Sequence, residues 1–193
     1  ANVKGNNIEK YIKPYVGRKI GNSKVLILGV DTIDTYTTTN PKNLKGIKFI
    51  EPVKILKQYV KKFRDKADII IAITHLGYEV DMKVAKEVPE INLIVGGHSH
   101  TELKEPTKVG DTVIVQAGSY GKYLGKVYIE VKDKKVINHK GELLPISPKL
   151  DTVNEKIKKI IDKYNDKLKD KFGELIGETK IFLNAKRDFI RQG

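Results

Sequence analysis

The sequence has no cysteine, one methionine and only four histidines among its 193 residues. Without cysteine the chain forms neither disulfides nor thiolate metal sites, and it is compatible with an oxidising or a reducing compartment alike. No uninterrupted apolar run approaches the roughly 20 residues that a membrane-spanning helix needs. Internal repeats and low-complexity linkers are absent, and no basic-then-apolar leader precedes the first periodic segment, which leaves localisation open. Acidic residues are in deficit, 24 Asp and Glu against 37 Lys and Arg, for a formal net charge of +13. The excess is dominated by lysines dispersed through helical stretches (Lys54, Lys57, Lys61, Lys62) and not by an arginine stripe with interleaved aromatics. It therefore reads as a solvated coat and not as a dedicated nucleic-acid surface.

What is present is an alternation. With 39% hydrophobic and 32% charged residues, the composition is that of a soluble globular protein long enough for one sizeable core. The apolar run 24–30, bounded by turn residues, predicts a strand buried on both faces; 68–74 predicts a second and 91–95 a third. Glu51-Pro52 opens a helix carried by Val53, Leu56, Val60 and Phe63 and ending near Lys66, and 82–88 predicts a short helix before Pro89. Residues 31–46, rich in Thr, Asn, Pro and Gly and including Thr35, Thr37, Thr38 and Thr39, show neither period and read as a loop. Strand, helix, strand, helix, strand with short connections predicts an α/β sheet. Three β-branched segments follow, 112–116, 124–131 and 136–144, expected as antiparallel strands. From Asp151 to Phe172, Val153, Ile157, Ile160, Ile161, Tyr164, Leu168 and Phe172 hold one helical face against a charged one, predicting a long, half-exposed helix. Residues 180–183 read as one more strand-like piece.

Three of the four histidines sit just past strand ends, where open α/β sheets place their ligand sites. His75 lies in Thr74-His75-Leu76-Gly77, and His98 and His100 lie in Gly96-Gly97-His98-Ser99-His100. Neutral imidazole is the commonest side-chain ligand for zinc-like metals. A lone histidine is more often a packing residue than a ligand; the clustering is what points to a metal. Gly96 and Gly97 let the backbone turn sharply and approach a ligand closely. His98 and His100, at i and i+2 of an extended segment, would face the same side, with His75 on the neighbouring loop. His139, between Asn138 and Lys140 in a polar, turn-like context, reads as a surface residue. Asn40 and the threonines around it are candidates to line a substrate cleft, against the plainer reading of a solvated polar loop.

The ordered set Ile73-Thr74-His75-Leu76-Gly77, then Asp81, then Gly96-Gly97-His98-Ser99-His100-Thr101, then 115–125 from Val115-Gln116-Ala117-Gly118 to Leu124-Gly125, resembles the 5′-nucleotidase and 2′,3′-cyclic phosphodiesterase family of calcineurin-like metallophosphoesterases. Ala1-Asn2-Val3 and Lys13-Pro14-Tyr15 resemble the segment just after that family's Gly-Asn-His-Glu motif. The resemblance implies an α/β fold, half of an αββα sandwich followed by a long linker helix. Residues 1–150 would be the C-terminal half of the catalytic domain, and 151–193 the linker helix and the start of a nucleotide-binding domain. It implies two divalent metal ions such as zinc or manganese, His75 and His98 on one and His100 on the other, clamping a phosphate and lowering the pKa of a bound water. Asp81 or backbone carbonyls would orient the imidazoles.

The family's Asp-x-His, its bridging aspartate and its Gly-Asn-His-Glu motif have no counterpart in this sequence. No catalytic residue is therefore expected here, and the chain alone is expected to have little activity, with a second chain supplying the other half of the site or the piece standing as a partial domain. The implied substrate is a nucleotide or other phosphate ester, and the implied location is the periplasm, cell surface or wall. The alternative is a non-catalytic module that holds metal on three histidines or a polyanion on the lysine coat.

Overall fold

A strongly apolar parallel run needs neighbours on both edges and a layer on each face, and the chain supplies most of these. A computed structural model describes residues 1–147, 153–175 and 177–182. They fall into two units, dividing after Ser147.

The first unit runs β1 (Val3–Lys4), β2 (Tyr15–Ile20), β3 (Ser23–Asp31), α1 (Thr35–Thr38), β4 (Lys48–Phe49), α2 (Pro52–Phe63), β5 (Ile69–His75), α3 (Tyr78–Glu87), β6 (Leu93–Val95), β7 (Thr107–Val109), β8 (Thr112–Val115), β9 (Tyr123–Lys132) and β10 (Lys135–Pro145). Six strands form one sheet in the order β2-β3-β5-β6-β8-β7. β3, β5, β6 and β8 are parallel, and β2 and β7 close the edges antiparallel.

One face of this sheet packs on the helices. Leu26, Leu28, Val30, Ile70, Ala72, Ile94 and Ile114 meet Val53, Leu56 and Val60 of α2 and Val84, Ala85 and Val88 beside them in one buried cluster. α2 starts where expected because Pro52 occupies its first turn and the Glu51 carboxylate accepts from the Val53 and Lys54 N–H groups at 3.2 and 2.6 Å, a side-chain cap on otherwise orphan donors. On the opposite face the β9–β10 hairpin covers only the end near Leu93 and Val113, through Val136, Val127, Ile129 and Val131.

Several expectations are corrected. β3 and β5 are not buried on both faces: their helix side is buried, while Ile27 and Ile71 on the other side are half-buried and Ile73 is 53% exposed. Segment 112–116 is not part of an antiparallel set with the two strands after it; β8 pairs parallel to β6, and only β9 and β10 pair with each other. Residues 31–46 contain α1 and a short 3₁₀ turn, Pro41–Leu44. α3 begins four residues before Met82, because Gly77 at φ 92° turns the chain and the helix starts directly after it. His139 is not in a turn: it pairs with Ile129 in mid-strand and is half-buried.

The second unit is built on α4 (Glu155–Phe172), whose Asn154 side chain accepts from the Lys156 and Ile157 N–H groups. The apolar stripe from Ile157 to Phe172 lies on this helix as expected, but its residues are 51–75% exposed, so the helix is not half-covered among the described residues; Asp151, where the sequence placed its start, lies outside them. Residues 180–182 form no strand, and Leu183 lies outside the described residues.

Candidate metal centre

The carboxyl ends of β3, β5, β6 and β8 lie side by side, with Asp31 paired to His75, Ile73 to Val95 and Val95 to Val115. His75 is therefore held by strand pairing, as the last residue of β5. The turn that follows β6 is tied to it through backbone and hydroxyl. Gly77 N–H donates to Gly97 O at 3.1 Å, and Tyr78 N–H donates to Ser99 Oγ at 3.0 Å. Gln116, buried at the end of β8, accepts on Oε1 from Ser99 Oγ at 3.0 Å and from Thr101 N–H at 2.6 Å. Two loops and one strand end are thus stitched into a single ledge.

On that ledge His75 Nε2 and His98 Nδ1 stand 3.3 Å apart, with ring centroids at 4.9 Å. Two nitrogens bound at about 2.0–2.1 Å to one tetrahedral zinc are roughly 3.3–3.4 Å from each other. The pair has the spacing of one edge of such a coordination shell, which is also that of an N–H···N hydrogen bond between the two rings, and two imidazole nitrogens are donors of the type such a metal takes. Gly97 permits the approach: a Cβ there would lie 3.3 Å from His75 Nδ1.

The segment after Gly97 is not extended. His98 and His100 both have left-handed backbones, φ 76° and 57°, a conformation uncommon for non-glycine residues, though histidine adopts it more readily than most. The i, i+2 rule for extended chain does not apply, and the two rings part company. His98 faces His75, and His100 stands against Tyr120, itself at φ 58°, with centroids 5.5 Å apart. Among the described residues no three His, Asp or Glu side chains converge closely enough to hold an ion by themselves.

Asp81 lies on the other side of the turn. It is wholly buried, and a Cβ on Gly96 would fall 2.3 Å from its Oδ2. Both of its carboxylate oxygens, Thr74 Oγ1 and Gln116 Nε2 are buried without a hydrogen-bond partner. Burial pushes the carboxyl up to about 6, the nearby Thr74 hydroxyl offsetting only part of the effect, as expected when a charge leaves water. Asp81 thus abuts the turn at Gly96, without a hydrogen bond to either imidazole.

The polar loop is largely occupied with itself. Asn40 caps the 3₁₀ turn by accepting from Lys42 N–H at 3.0 Å, and the hydroxyls of Thr35, Thr37 and Thr38 donate to carbonyls of Thr32 and Asp34. Its side chain that reaches the histidines is Asp34, with Oδ2 3.7 Å from His98 Nε2. Sequence reasoning missed Asp34, Ser99 and Gln116. A polar residue closing the apolar run 113–115 was the available signal for Gln116; nothing in sequence spacing signals Asp34.

This geometry can be set against known proteins. No protein-family model matches the chain. The trifunctional nucleotide phosphoesterase YfkN of Bacillus subtilis is 33% identical over 97% of this chain, which spans 13% of that protein. The chain is a homologue of the 5′-nucleotidases and nucleotide phosphoesterases. A snake venom 5′-nucleotidase of Crotalus adamanteus is 28% identical over 93% of this homologue and 33% of its own length. The 5′-nucleotidase precursor of Thermus thermophilus superposes with a TM-score of 0.76 at 27% identity, covering 94% of this chain and 40% of that one. The solved calcineurin-like phosphoesterase YfkN superposes at 0.69 and 23% identity, over 90% of this chain and 63% of that one, a likeness of fold. The homologue therefore spans between about an eighth and two fifths of the length of the first two relatives and the Thermus structure.

Proposed function

We propose that this chain is the histidine-bearing part of a metal-dependent phosphoesterase that hydrolyses nucleotide phosphate esters, as a 5′-nucleotidase or a 2′,3′-cyclic nucleotide phosphodiesterase. The observation that carries the reading is the 3.3 Å pair of His75 Nε2 and His98 Nδ1 at the carboxyl edge of a parallel sheet. His75 and His98 hold one divalent ion, zinc or manganese, and His100, displaced toward Tyr120, serves a second. When bound, such ions polarise a phosphate oxygen and lower the pKa of a coordinated water. The chain's own contribution is to fix imidazole lone pairs in place through the Gly77–Gly97 and Ser99–Gln116 bonds. Neutral imidazoles offset none of the metal charge, so the remaining ligands, carboxylates among them, come from a further segment or a second chain.

The half-covered sheet face around Ile73 and Val95 supports that arrangement, because it ends at His75 and borders an open cavity of about 500 Å³ lined by Gly29, Asp31, His75 and Gly97. Residues 1–150 serve as the C-terminal half of the catalytic domain, and 151–193 as the linker helix and the start of a nucleotide-binding domain. The likeness to a venom enzyme and to the wider family favours export to the periplasm, cell surface or wall. Among the described residues no helix is long and apolar enough to cross a membrane.

The test is hydrolysis of a nucleoside 5′-monophosphate and of a 2′,3′-cyclic nucleotide by a protein that joins this chain to the preceding part of its parent. Turnover that Mn²⁺ or Zn²⁺ supports, a chelator abolishes and His75→Ala or His98→Ala reduces at least about a hundredfold is the expected result, the loss of a metal ligand removing the Lewis acid. Absence of turnover with any divalent metal, together with salt-steep polyanion binding that ignores the chelator, would replace the enzyme reading by the binding-module one.

A further inference from the structure

Asp34 stands at the N-cap of α1, where an aspartate ordinarily accepts from the N–H groups of the first turn, yet its side chain makes no capping hydrogen bond. Its backbone is nevertheless pinned. Asp34 N–H donates to Thr32 Oγ1 at 3.1 Å, and Asp34 O accepts the hydroxyls of Thr37 and Thr38 at 2.9 and 3.0 Å. The base of the loop is pinned as well. Buried Asn2 donates from Nδ2 to the carbonyls of Asp31 and Ile50 at 2.7 and 3.0 Å and accepts the Asp31 N–H at 2.9 Å. The threonine-rich stretch thus fixes one residue's backbone while leaving its carboxylate free of local duties. That carboxylate is 61% exposed and lies 3.7 Å from His98 Nε2, the nitrogen opposite the one that faces His75.

Resting on the metal reading above, we propose that Asp34 is a positioning residue of this centre: its carboxylate accepts the Nε2–H of His98 and so keeps the Nδ1 lone pair directed at a metal ion shared with His75. At 3.7 Å the pair is longer than a hydrogen bond, so the proposal requires the exposed side chain to close that gap. The pairing does two things that the histidines alone cannot do. A neutral imidazole carries one ring proton, and the opposite tautomer would aim that proton at His75 and block coordination; an acceptor on Nε2 excludes it. The carboxylate also brings a negative charge next to a centre whose visible ligands are neutral, raising the basicity of the bound imidazole. Sequence distance hides the role, since Asp34 follows β3 while its partner follows β6.

Two readings decide the matter: long-range ¹H–¹⁵N NMR of the His98 tautomer in the 193-residue chain without metal, and calorimetric titration with Zn²⁺ of this chain joined to the segment that supplies the remaining ligands. In the wild-type chain His98 is expected as the Nε2–H tautomer. Asp34→Ala should mix the tautomers and weaken zinc by about 10- to 100-fold, the usual effect of removing a histidine's outer partner. Asp34→Glu should recover much of both, and the melting temperature should stay unchanged because no capping bond is lost. An unchanged tautomer with zinc affinity within about twofold of wild type in Asp34→Ala would overturn the proposal. If the joined wild-type protein takes up no zinc, the metal reading fails on its own account. The tautomer then decides for the pairing: loss of Nε2–H in Asp34→Ala upholds it, and no change overturns it.

Discussion

At the scale of single residues, the most consequential group outside the histidines is Asp81. Its carboxyl titrates near 6 in the folded chain because burial disfavours the charge, against about 3.9 when unfolded. Between these values the native state binds more protons than the unfolded one, so stability falls as pH rises. The contribution is fully present below about pH 4 and gone above about pH 6, and it amounts to something on the order of 3 kcal/mol. Chemical denaturation across this range should show the decline, and Asp81→Asn, neutral throughout, should flatten it. A wild-type profile without that slope would mean that Asp81 is solvated or paired as the anion.

At the scale of elements, Gln116 joins the end of β8 to the turn after β6. Gln116→Ala leaves the part-buried Thr101 N–H without its acceptor, a loss of about 1 kcal/mol for a donor that water can partly reach. The loss should appear in urea unfolding. Hydrogen exchange should lose protection at 99–101 while β5 and β6 keep theirs. Unchanged exchange at the turn would show that the Gly96–Val115 and Gly118–Thr101 backbone bonds suffice to hold it.

The elements also show how far the sequence could be read. β3, β5, β6 and α2 were legible because each is an apolar run or stripe whose period survives folding. β2 was not: Tyr15–Ile20 contains Gly17, Arg18 and Lys19, and as an edge strand it is mostly exposed, so no alternation marks it. β7, at three residues, is too short to carry a period. The direction of β8 was misjudged because Val113-Ile114-Val115 fits a parallel or an antiparallel neighbour equally well, and the choice is made by β6, a partner distant in sequence. The same physics divides the site. The glycine-flanked histidines announce themselves locally, whereas Asp34 belongs to the site only through the pairing of β3 with β5 and β5 with β6.

At the scale of the whole molecule, the sheet face away from the helices is apolar and only partly roofed. Ile73 and Val95, 53% and 38% exposed, adjoin half-buried Ile27 and Ile71, and a contiguous patch of this kind promotes association. The isolated chain is expected to self-associate with rising concentration in sedimentation velocity. The double substitution Ile73→Thr and Val95→Thr should return it to the monomer, at a stability cost within about 1 kcal/mol, as befits exposed positions. A wild-type chain that stays monomeric at high concentration would show that the open face is not sticky enough to need a cover.

The left-handed backbones at His98 and His100 carry one more implication. An L-residue in that conformation is disfavoured by roughly 1–2 kcal/mol, and glycine is not. Drift toward a hardier fold would therefore favour glycine at both positions and erase the imidazoles. Robustness and chemistry pull in opposite directions at these two sites, and histidine at both is what the proposed metal role requires.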